Sequence, residues 1–465
     1  SDRGSHLEKH WLKSYPAGVR PTIDVSEYRS LTHLIDSSLK EHADHVAYVQ
    51  MGTELSYREL DQQSAAFAAW LQQTAGIQKG DRVAVMMPNI LQYPIAVCGV
   101  LRAGGTVVNT NPLYTPRELE HQLTDSGATV IVILENFAHV LEEVIAHTEI
   151  KHVLTTSVGG MLGFLQGAVV NFVVRHLRKQ VPSYQLAGAR EFCEVLRMSA
   201  GQTPRDTPLS LDDLAFLQYT GGTTGVAKGA MLSHGNMVAN VLQSNEWIES
   251  SFLQGRGTLI TALPLYHIFA LTANCLLFLR LGWRNILIVN PRDFPAFVKE
   301  LKRYPFQFIS GVNTLFNALL HTPGFDKLDF STLRVTLGGG MAVQETVAKR
   351  WKAVTGKVLT QAWGLTETSP AACINIPNVD FNGSIGLPIS STDISIRDDA
   401  GAELGIDQVG EICVRGPQVM VGYWNRPDET AKVMLADGWL KTGDIGRIDA
   451  QGYVYIEDRK KDMIL

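Results

Sequence analysis

Cysteine is sparse in this sequence, basic charge is not in surplus, and no long apolar run is free of polar interruption; each shortage closes a class of reading. The five cysteines, Cys98, Cys193, Cys275, Cys373 and Cys413, are odd in number, scattered and without CxxC spacing. This argues against a disulfide framework and a zinc site, and it fits a reducing cytoplasm. The 41 basic and 46 acidic residues give a net charge of -5 with both signs mixed along the chain, so there is no electrostatic footprint for nucleic acid. The most apolar stretch, Leu259 to Leu279, contains Pro264, His267 and Asn274 and reads as buried core rather than a membrane span. No signal peptide is expected, because Ser1 to His6 is polar and reads as a tag remnant. Neither a low-complexity segment nor a repeat of solenoid length is evident.

What is there suits a globular enzyme. A length of 465 residues with 45% apolar and 19% charged side chains calls for two or three subdomains. The first third alternates short apolar runs (Arg82 to Met87, Thr106 to Asn109, Ala128 to Leu134, Val153 to Thr155) with helical patterns at Tyr93 to Arg102 and Glu118 to Asp125. That rhythm predicts a doubly wound parallel sheet over residues 7–205. A second α/β block is expected over 206–385, with strands at Leu214 to Gln218, Asn285 to Val289, Phe308 to Gly311 and Arg334 to Leu337. From 386 to 457 the pattern shifts to short alternating strands at Asp393 to Arg397, Gly410 to Arg415 and Gly452 to Glu457, the wording of a small β-barrel or meander. The expected class is therefore α/β: two doubly wound subdomains plus a small β-barrel subdomain.

Between Gly159 and Lys179 a greasy run (Met161, Leu162, Phe164, Leu165, Val169, Val170, Phe172, Val173, Leu177) meets a basic end at Arg175, His176, Arg178 and Lys179. Two readings stand: a helix covering the core, and a surface helix on an anionic membrane.

Chemistry concentrates in three clusters. The first is Tyr219-Thr220-Gly221-Gly222-Thr223-Thr224-Gly225-Val226-Ala227-Lys228-Gly229, directly after a strand candidate. Glycines let backbone N–H groups converge on an anion, the threonines add hydroxyl donors and Lys228 adds positive charge, which is phosphate-loop chemistry. Walker spacing is absent, because Lys228 is followed by Gly229 and preceded by Ala227. A flexible surface turn would not need this composition.

The second cluster is Gln361-Ala362-Trp363-Gly364-Leu365-Thr366-Glu367, preceded by the turn Gly338-Gly339-Gly340. Trp363 can shape an adenine slot, Thr366 can bond a phosphoryl oxygen and Glu367 can hold Mg²⁺; alone, a Thr-Glu pair usually starts a helix. The third is Trp439 to Asp444 followed by Asp458 to Asp462. Asp444 suits ribose hydroxyls and Arg459 ribose or phosphate; alone, a surface salt bridge is the ordinary meaning.

Taken together and in this order, the clusters resemble the adenylate-forming superfamily of acyl-CoA synthetases, firefly luciferase and nonribosomal adenylation domains. The likeness extends through Gly422-Tyr423-Trp424. It points most closely to bacterial long-chain fatty-acid–CoA ligases through Met87-Pro88-Asn89, the run from Asn111 to Leu123, and Asn290-Pro291-Arg292-Asp293. The resemblance implies the large N-terminal domain of that fold and a two-step reaction. A fatty acid and ATP give acyl-AMP and pyrophosphate, and coenzyme A then takes the acyl group.

It further implies that Thr220, Gly221, Gly222, Thr223, Thr224, Gly225 and Lys228 embrace the β- and γ-phosphates. Thr366 would contact the α-phosphate, Glu367 would bind Mg²⁺, and Asp444 and Arg459 would hold the ribose. Gly339, Gly340, Ala362 and Trp363 would frame adenine and the reacting carboxylate. His267 matches a family histidine at the acyl end, where a satisfied core histidine is otherwise the default. Tyr266, Phe269, Leu271 and Val312 are expected to line an apolar channel, since each buried CH₂ contributes about 0.8 kcal/mol. Two departures are visible: Leu271 stands where some relatives carry a gating tryptophan, and Trp363 stands where tyrosine is usual. The hinge maps to Lys461 and no small C-terminal domain follows, so poor turnover is expected. Peripheral contact with the inner membrane face and a homodimer fit the class. A medium-chain or aryl acid-CoA ligase, or a non-catalytic fatty-acid sensor, are the rival readings.

Overall fold

Helix Pro116–Ser126 shows how local sequence sets the frame. Thr115 accepts from the Glu118 backbone while the Glu118 carboxylate accepts from the Thr115 N–H, Pro116 occupies the first turn, and Gly127 ends the helix at φ +66. These are the start and stop signals of an isolated helix, complete in the sequence. The structure, a computed structural model, describes residues 9–221 and 225–457. By their contacts the residues group into two units, one of Tyr28–Gly235 with Pro264–Pro291, the other of Ser1–Glu27, Asn236–Leu263 and Arg292–Leu465.

In the first unit, strands run side by side in the order Gly229–Ser233, Leu214–Tyr219, Thr106–Asn109, Arg82–Met86, Val130–Leu134, His152–Thr156 and Arg190–Glu191. All neighbours are parallel except the first pair, which is an antiparallel hairpin. Strand Val130–Leu134 is buried at every position, as a parallel strand covered on both faces requires. Within the same unit Val46–Gln50 pairs with Thr53–Ser56 and with Arg284–Leu287. The hairpin matters most here, because its connecting loop is the glycine- and threonine-rich cluster.

The second unit carries the strand order Leu387–Pro388, Ala371–Ile374, Leu359–Gly364, Val335–Gly338, Phe308–Gly311 and Thr258–Thr261. The last four are parallel and the first two join antiparallel. Separately, Asp393–Arg397, Gly410–Arg415, Leu440–Ile448 and Val454–Ile456 form an antiparallel sheet. Of the two forms the alternation allowed, the meander is the one built. The strand expected at Gly452 to Glu457 is shorter, since Gly452 sits at φ +99 in the preceding turn.

Leu259 to Leu279 breaks into strand Thr258–Thr261 and short helical segments and is largely buried. Among the described residues no helix is long and apolar enough to cross a membrane. The run from Phe164 departs from the core-covering reading. Helix Phe164–Phe172 buries only Gly167, while Phe164, Leu165, Val169, Phe172 and the following Leu177 are exposed.

Candidate functional site

In the first unit the phosphate-loop candidate closes where the hairpin strands end: the Thr220 N–H donates to the Lys228 carbonyl at 2.9 Å. Both shoulders are held by one helix. The Tyr219 hydroxyl donates to Asp125 Oδ2 at 2.6 Å and His121 Nε2 donates to the Ala227 carbonyl at 2.9 Å, and both partners lie on helix Pro116–Ser126. Asp125 and His121 are four residues apart, so they share one helical face. Thr220 and Lys228 are half-buried, and Gly221 and Gly225 are exposed. A Cβ at Gly221 or Gly225 would meet nothing within 4 Å among the described residues. Packing against the described residues therefore does not demand glycine there, whereas close approach of an anion to the backbone would. Gly222, Thr223 and Thr224 lie outside the described residues.

The acyl candidates Tyr266, His267, Phe269 and Leu271 belong to the same unit and are placed by a buried amide network that the sequence analysis missed. Asn109 Nδ2 donates to Gln218 Oε1 at 3.0 Å, and Gln218 Nε2 donates to the Tyr266 carbonyl at 2.6 Å. Asn89 Oδ1 accepts from the Leu265 N–H at 2.9 Å. The Tyr93 hydroxyl lies 2.6 Å from Asn109 Oδ1 and 2.8 Å from the Leu265 carbonyl. Such a network fixes a loop because each buried polar atom left unpaired would be costly. Its only sequence signal is amides inside otherwise apolar strands.

His267 caps the short helix Ile268–Ala270, with Nδ1 accepting from the Phe269 N–H at 3.3 Å. Its surface is exposed, unlike that of a core histidine. Protein atoms gathered around it nonetheless disfavour the imidazolium and hold its pKa below the usual value. Phe269 and Leu271 are buried and Tyr266 is half-buried.

In the second unit, strand Leu359–Gly364 carries Ala362 and Trp363 out to the turn Thr366–Thr368, and residues 362–367 are all half-buried. Trp363 Nε1 donates to Asp444 Oδ2 at 3.1 Å, so the adenine and ribose candidates are joined. The Tyr423 hydroxyl donates to Glu367 Oε2 at 2.9 Å, and the Met420 N–H donates to the Glu367 carbonyl at 2.8 Å. Burial, reinforced by the Glu367 carboxylate, keeps the Tyr423 phenol far above its ordinary range and hence a permanent donor. Tyr423 belongs to Gly422-Tyr423-Trp424, whose sequence alone does not disclose this contact. Gly340, at φ +77, has Val312 Cγ1 3.2 Å from where a Cβ would stand, which brings an adenine candidate and an acyl candidate together. Gln361 Oε1 accepts from the Val343 N–H at 2.6 Å and pins the turn after Gly340.

Among the described residues no three His, Cys, Asp or Glu side chains gather as a metal site. Glu367 offers a single hard carboxylate, which suits Mg²⁺ completed by phosphate and water oxygens and does not suit zinc. Arg459 and Lys461 lie outside the described residues.

A family model for AMP-binding enzymes matches residues 35–424. The chain is similar to a long-chain-fatty-acid–CoA ligase of Yersinia pestis, 55% identical over 460 residues, covering 99% of this chain and 82% of that protein. It is likewise 53% identical to the long-chain-fatty-acid–CoA ligase of Escherichia coli O157:H7, with the same coverage. Among solved structures, a long-chain-fatty-acid-CoA ligase from Archaeoglobus fulgidus superposes with a TM-score of 0.80 at 24% identity, covering 97% of this chain and 88% of that one.

Proposed function

The chain belongs to the AMP-binding enzyme family, and on that premise we propose which of its residues handle the nucleotide, the acid and the metal. Its activity is that of a long-chain fatty-acid–CoA ligase using ATP and coenzyme A. Its fold is the large α/β domain of adenylate-forming enzymes. Identity of 53–55% over 99% of this chain to ligases of one substrate class carries this reading.

In the first step a carboxylate oxygen bonds to the α-phosphorus as the bond from that phosphorus to pyrophosphate breaks. In the second, the sulfur of coenzyme A bonds to the acyl carbon as AMP departs. Charge on the phosphoryl oxygens is the obstacle, and fixed donors lower it because they need no reorganisation. Backbone N–H groups and hydroxyls from Thr220 to Gly225, with Lys228, take the β- and γ-phosphates. Thr366 donates to the α-phosphate. Asp444 accepts from the ribose hydroxyls with Arg459 beside it, and Trp363, Ala362, Gly339 and Gly340 frame the base. Glu367, oriented by Tyr423, would hold Mg²⁺, which neutralises phosphate charge when bound. His267 orients the acid, and Tyr266, Phe269, Leu271 and Val312 line its chain.

Pyrophosphate exchange driven by a long-chain acid tests the roles. Glu367→Ala and Thr366→Ala should each abolish most exchange while leaving the melting temperature in place. Exchange at the parental rate in both variants would overturn the assignment.

A further inference from the structure

Gln218 and Tyr219 are neighbours in strand Leu214–Tyr219, so their side chains leave opposite faces of it. Tyr219 turns to helix Pro116–Ser126, where its hydroxyl meets Asp125 and holds one shoulder of the phosphate loop. Gln218 turns the other way, and its amide donates to the carbonyl of Tyr266, the residue before His267. Two consecutive residues at one strand end thus tie down the segment assigned to the phosphates and the segment assigned to the acid.

An amide is out of character at this position. Ala215, Phe216 and Leu217 before it are fully buried, and Gln218 itself is 4% exposed. Leucine or methionine would serve the packing of such a strand, whereas a buried glutamine must find partners for both ends of its amide. Oε1 accepts from Asn109 Nδ2 at 3.0 Å, and Nε2 donates to the Tyr266 carbonyl at 2.6 Å. The Tyr266 carbonyl can only accept, and this sets the direction of the whole chain of bonds. Gln218 must show it the NH₂ group, so its oxygen faces Asn109, and Asn109 Oδ1 is left for the Tyr93 hydroxyl at 2.6 Å.

The anchor behind Gln218 is rigid. Asn109 ends the neighbouring strand Thr106–Asn109, and its carbonyl accepts from Gln122 Nε2 at 3.0 Å. Gln122 lies on the same helix that braces the phosphate loop. The acyl segment is held a second time at Leu265, whose N–H donates to Asn89 Oδ1 at 2.9 Å. This grip stops one residue short of His267, whose surface is exposed. Adenylation needs a carboxylate oxygen in line with the α-phosphorus, and a misplacement of about 1 Å can cost about 100-fold in rate. A bond from the strand that feeds the phosphate loop to the backbone that feeds His267 fixes that separation.

We propose that Gln218 is a positioning residue for adenylate formation. By holding the Tyr266 carbonyl, it sets where the acid's carboxylate lies relative to the α-phosphate. The proposal rests on the reading above that places the phosphates at the loop from Thr220 and the acid at His267, and it adds the link between the two.

Pyrophosphate exchange with a long-chain acid, together with ATP affinity by titration calorimetry, tests this. Gln218→Met fills similar space without either bond. Its maximal exchange rate should fall about tenfold or more and its KM for the acid should rise. ATP affinity should be unchanged, because Asp125 and His121 still hold the loop's shoulders. Gln218→Glu supplies a readout that lost packing would not give. As a neutral acid it donates to the Tyr266 carbonyl, and as a carboxylate it turns an acceptor toward an acceptor. Burial favours the neutral acid, so the ratio of its rate to the parent's should approach one near about pH 6 and drop about tenfold by about pH 8.5. Titratable groups near this amide, the Tyr93 phenol and the His267 ring among them, are present in the parent too, so the ratio cancels them. Circular dichroism at each pH separates unfolding from misplacement. Should Gln218→Met not fold, Tyr93→Phe removes a single hydroxyl from the same chain of bonds and should lower the maximal rate about threefold with ATP affinity unchanged.

A parental maximal rate in the folded variant, an ATP affinity that falls as far as that for the acid, or a Gln218→Glu profile parallel to the parent's at every pH would each overturn the proposal. His267→Ala and Thr220→Val, run beside these, read the underlying assignment. KM for the acid should rise in the first and ATP affinity should drop in the second. If neither moves, that assignment fails and the proposal with it; if both move and the Gln218 variants behave like the parent, only the proposal fails.

Discussion

Trp363 and Asp444 stand 81 positions apart in the chain, yet the indole N–H of one donates to Oδ2 of the other at 3.1 Å. Trp363 is therefore more than a flat ring. It orients the carboxylate assigned to the ribose. Trp363→Phe keeps an aromatic plane and removes the donor. ATP affinity by titration calorimetry should fall about tenfold, the scale of one hydrogen bond to a charged group. Adding Trp363→Phe to Asp444→Ala should then cost little more than Asp444→Ala alone, because the two act through one bond. Independent, additive losses would show that the pair is not coupled.

Tyr423 should act through Glu367. Tyr423→Phe is expected to lower the rate of adenylate formation by about tenfold and raise the Mg²⁺ concentration needed for half-maximal rate, while Glu367→Gln lowers the rate by about 100-fold or more. Pyrophosphate exchange across a Mg²⁺ series reads both effects. A Tyr423→Phe enzyme with an unaltered Mg²⁺ requirement would limit that hydroxyl to a structural role.

Two glycines of the nucleotide clusters should respond in opposite ways. A Cβ at Gly364 would overlap the Pro370 carbonyl oxygen, so Gly364→Ala should cost roughly 3 kcal/mol or more in urea unfolding. At Gly225 a Cβ meets nothing within 4 Å among the described residues, so Gly225→Ala should change stability by less than about 0.5 kcal/mol yet weaken ATP binding. Equal destabilisation by both would refute this division.

Stability should fall on acidification through a histidine outside the site. His234 is fully buried, Nδ1 accepts from the Leu31 N–H at 3.1 Å, and burial lowers its pKa from 6.5 to about 4. Above pH 6.5 the ring is neutral in both states and the folded protein keeps its full stability. Between 6.5 and about 4 the unfolded chain takes up a proton that the folded one refuses, so stability drains as pH drops. The loss across that window is about 3 kcal/mol. Urea midpoints at intervals from pH 7 to pH 5 should show the decline, and His234→Asn, which keeps an acceptor for Leu31, should reduce it.

Much of this molecule was written in one dimension. The Thr115 capping box, the alternation of apolar runs with helical patterns, and the glycine and threonine composition of 220–229 all depend on neighbours within a few residues. The sequence therefore displays them directly. Because those motifs also occur in a fixed order, the family was legible before any coordinate was.

Long-range pairing was not. Nothing in the order of residues announces that Asp125 and His121 brace the two shoulders of the phosphate loop, or that Asn109 and Gln218 hold the Tyr266 carbonyl. Nor does it announce that Tyr423 turns toward Glu367. A buried donor takes whichever acceptor the packed chain brings within about 3 Å, and sequence distance does not enter that choice. The same holds for Phe164 to Leu177. Composition gave the apolar side chains, but only the placement of Gly159, Gly167 and Asn171 decided that those side chains face out, because a helix can approach its neighbour closely only on the side that carries glycine.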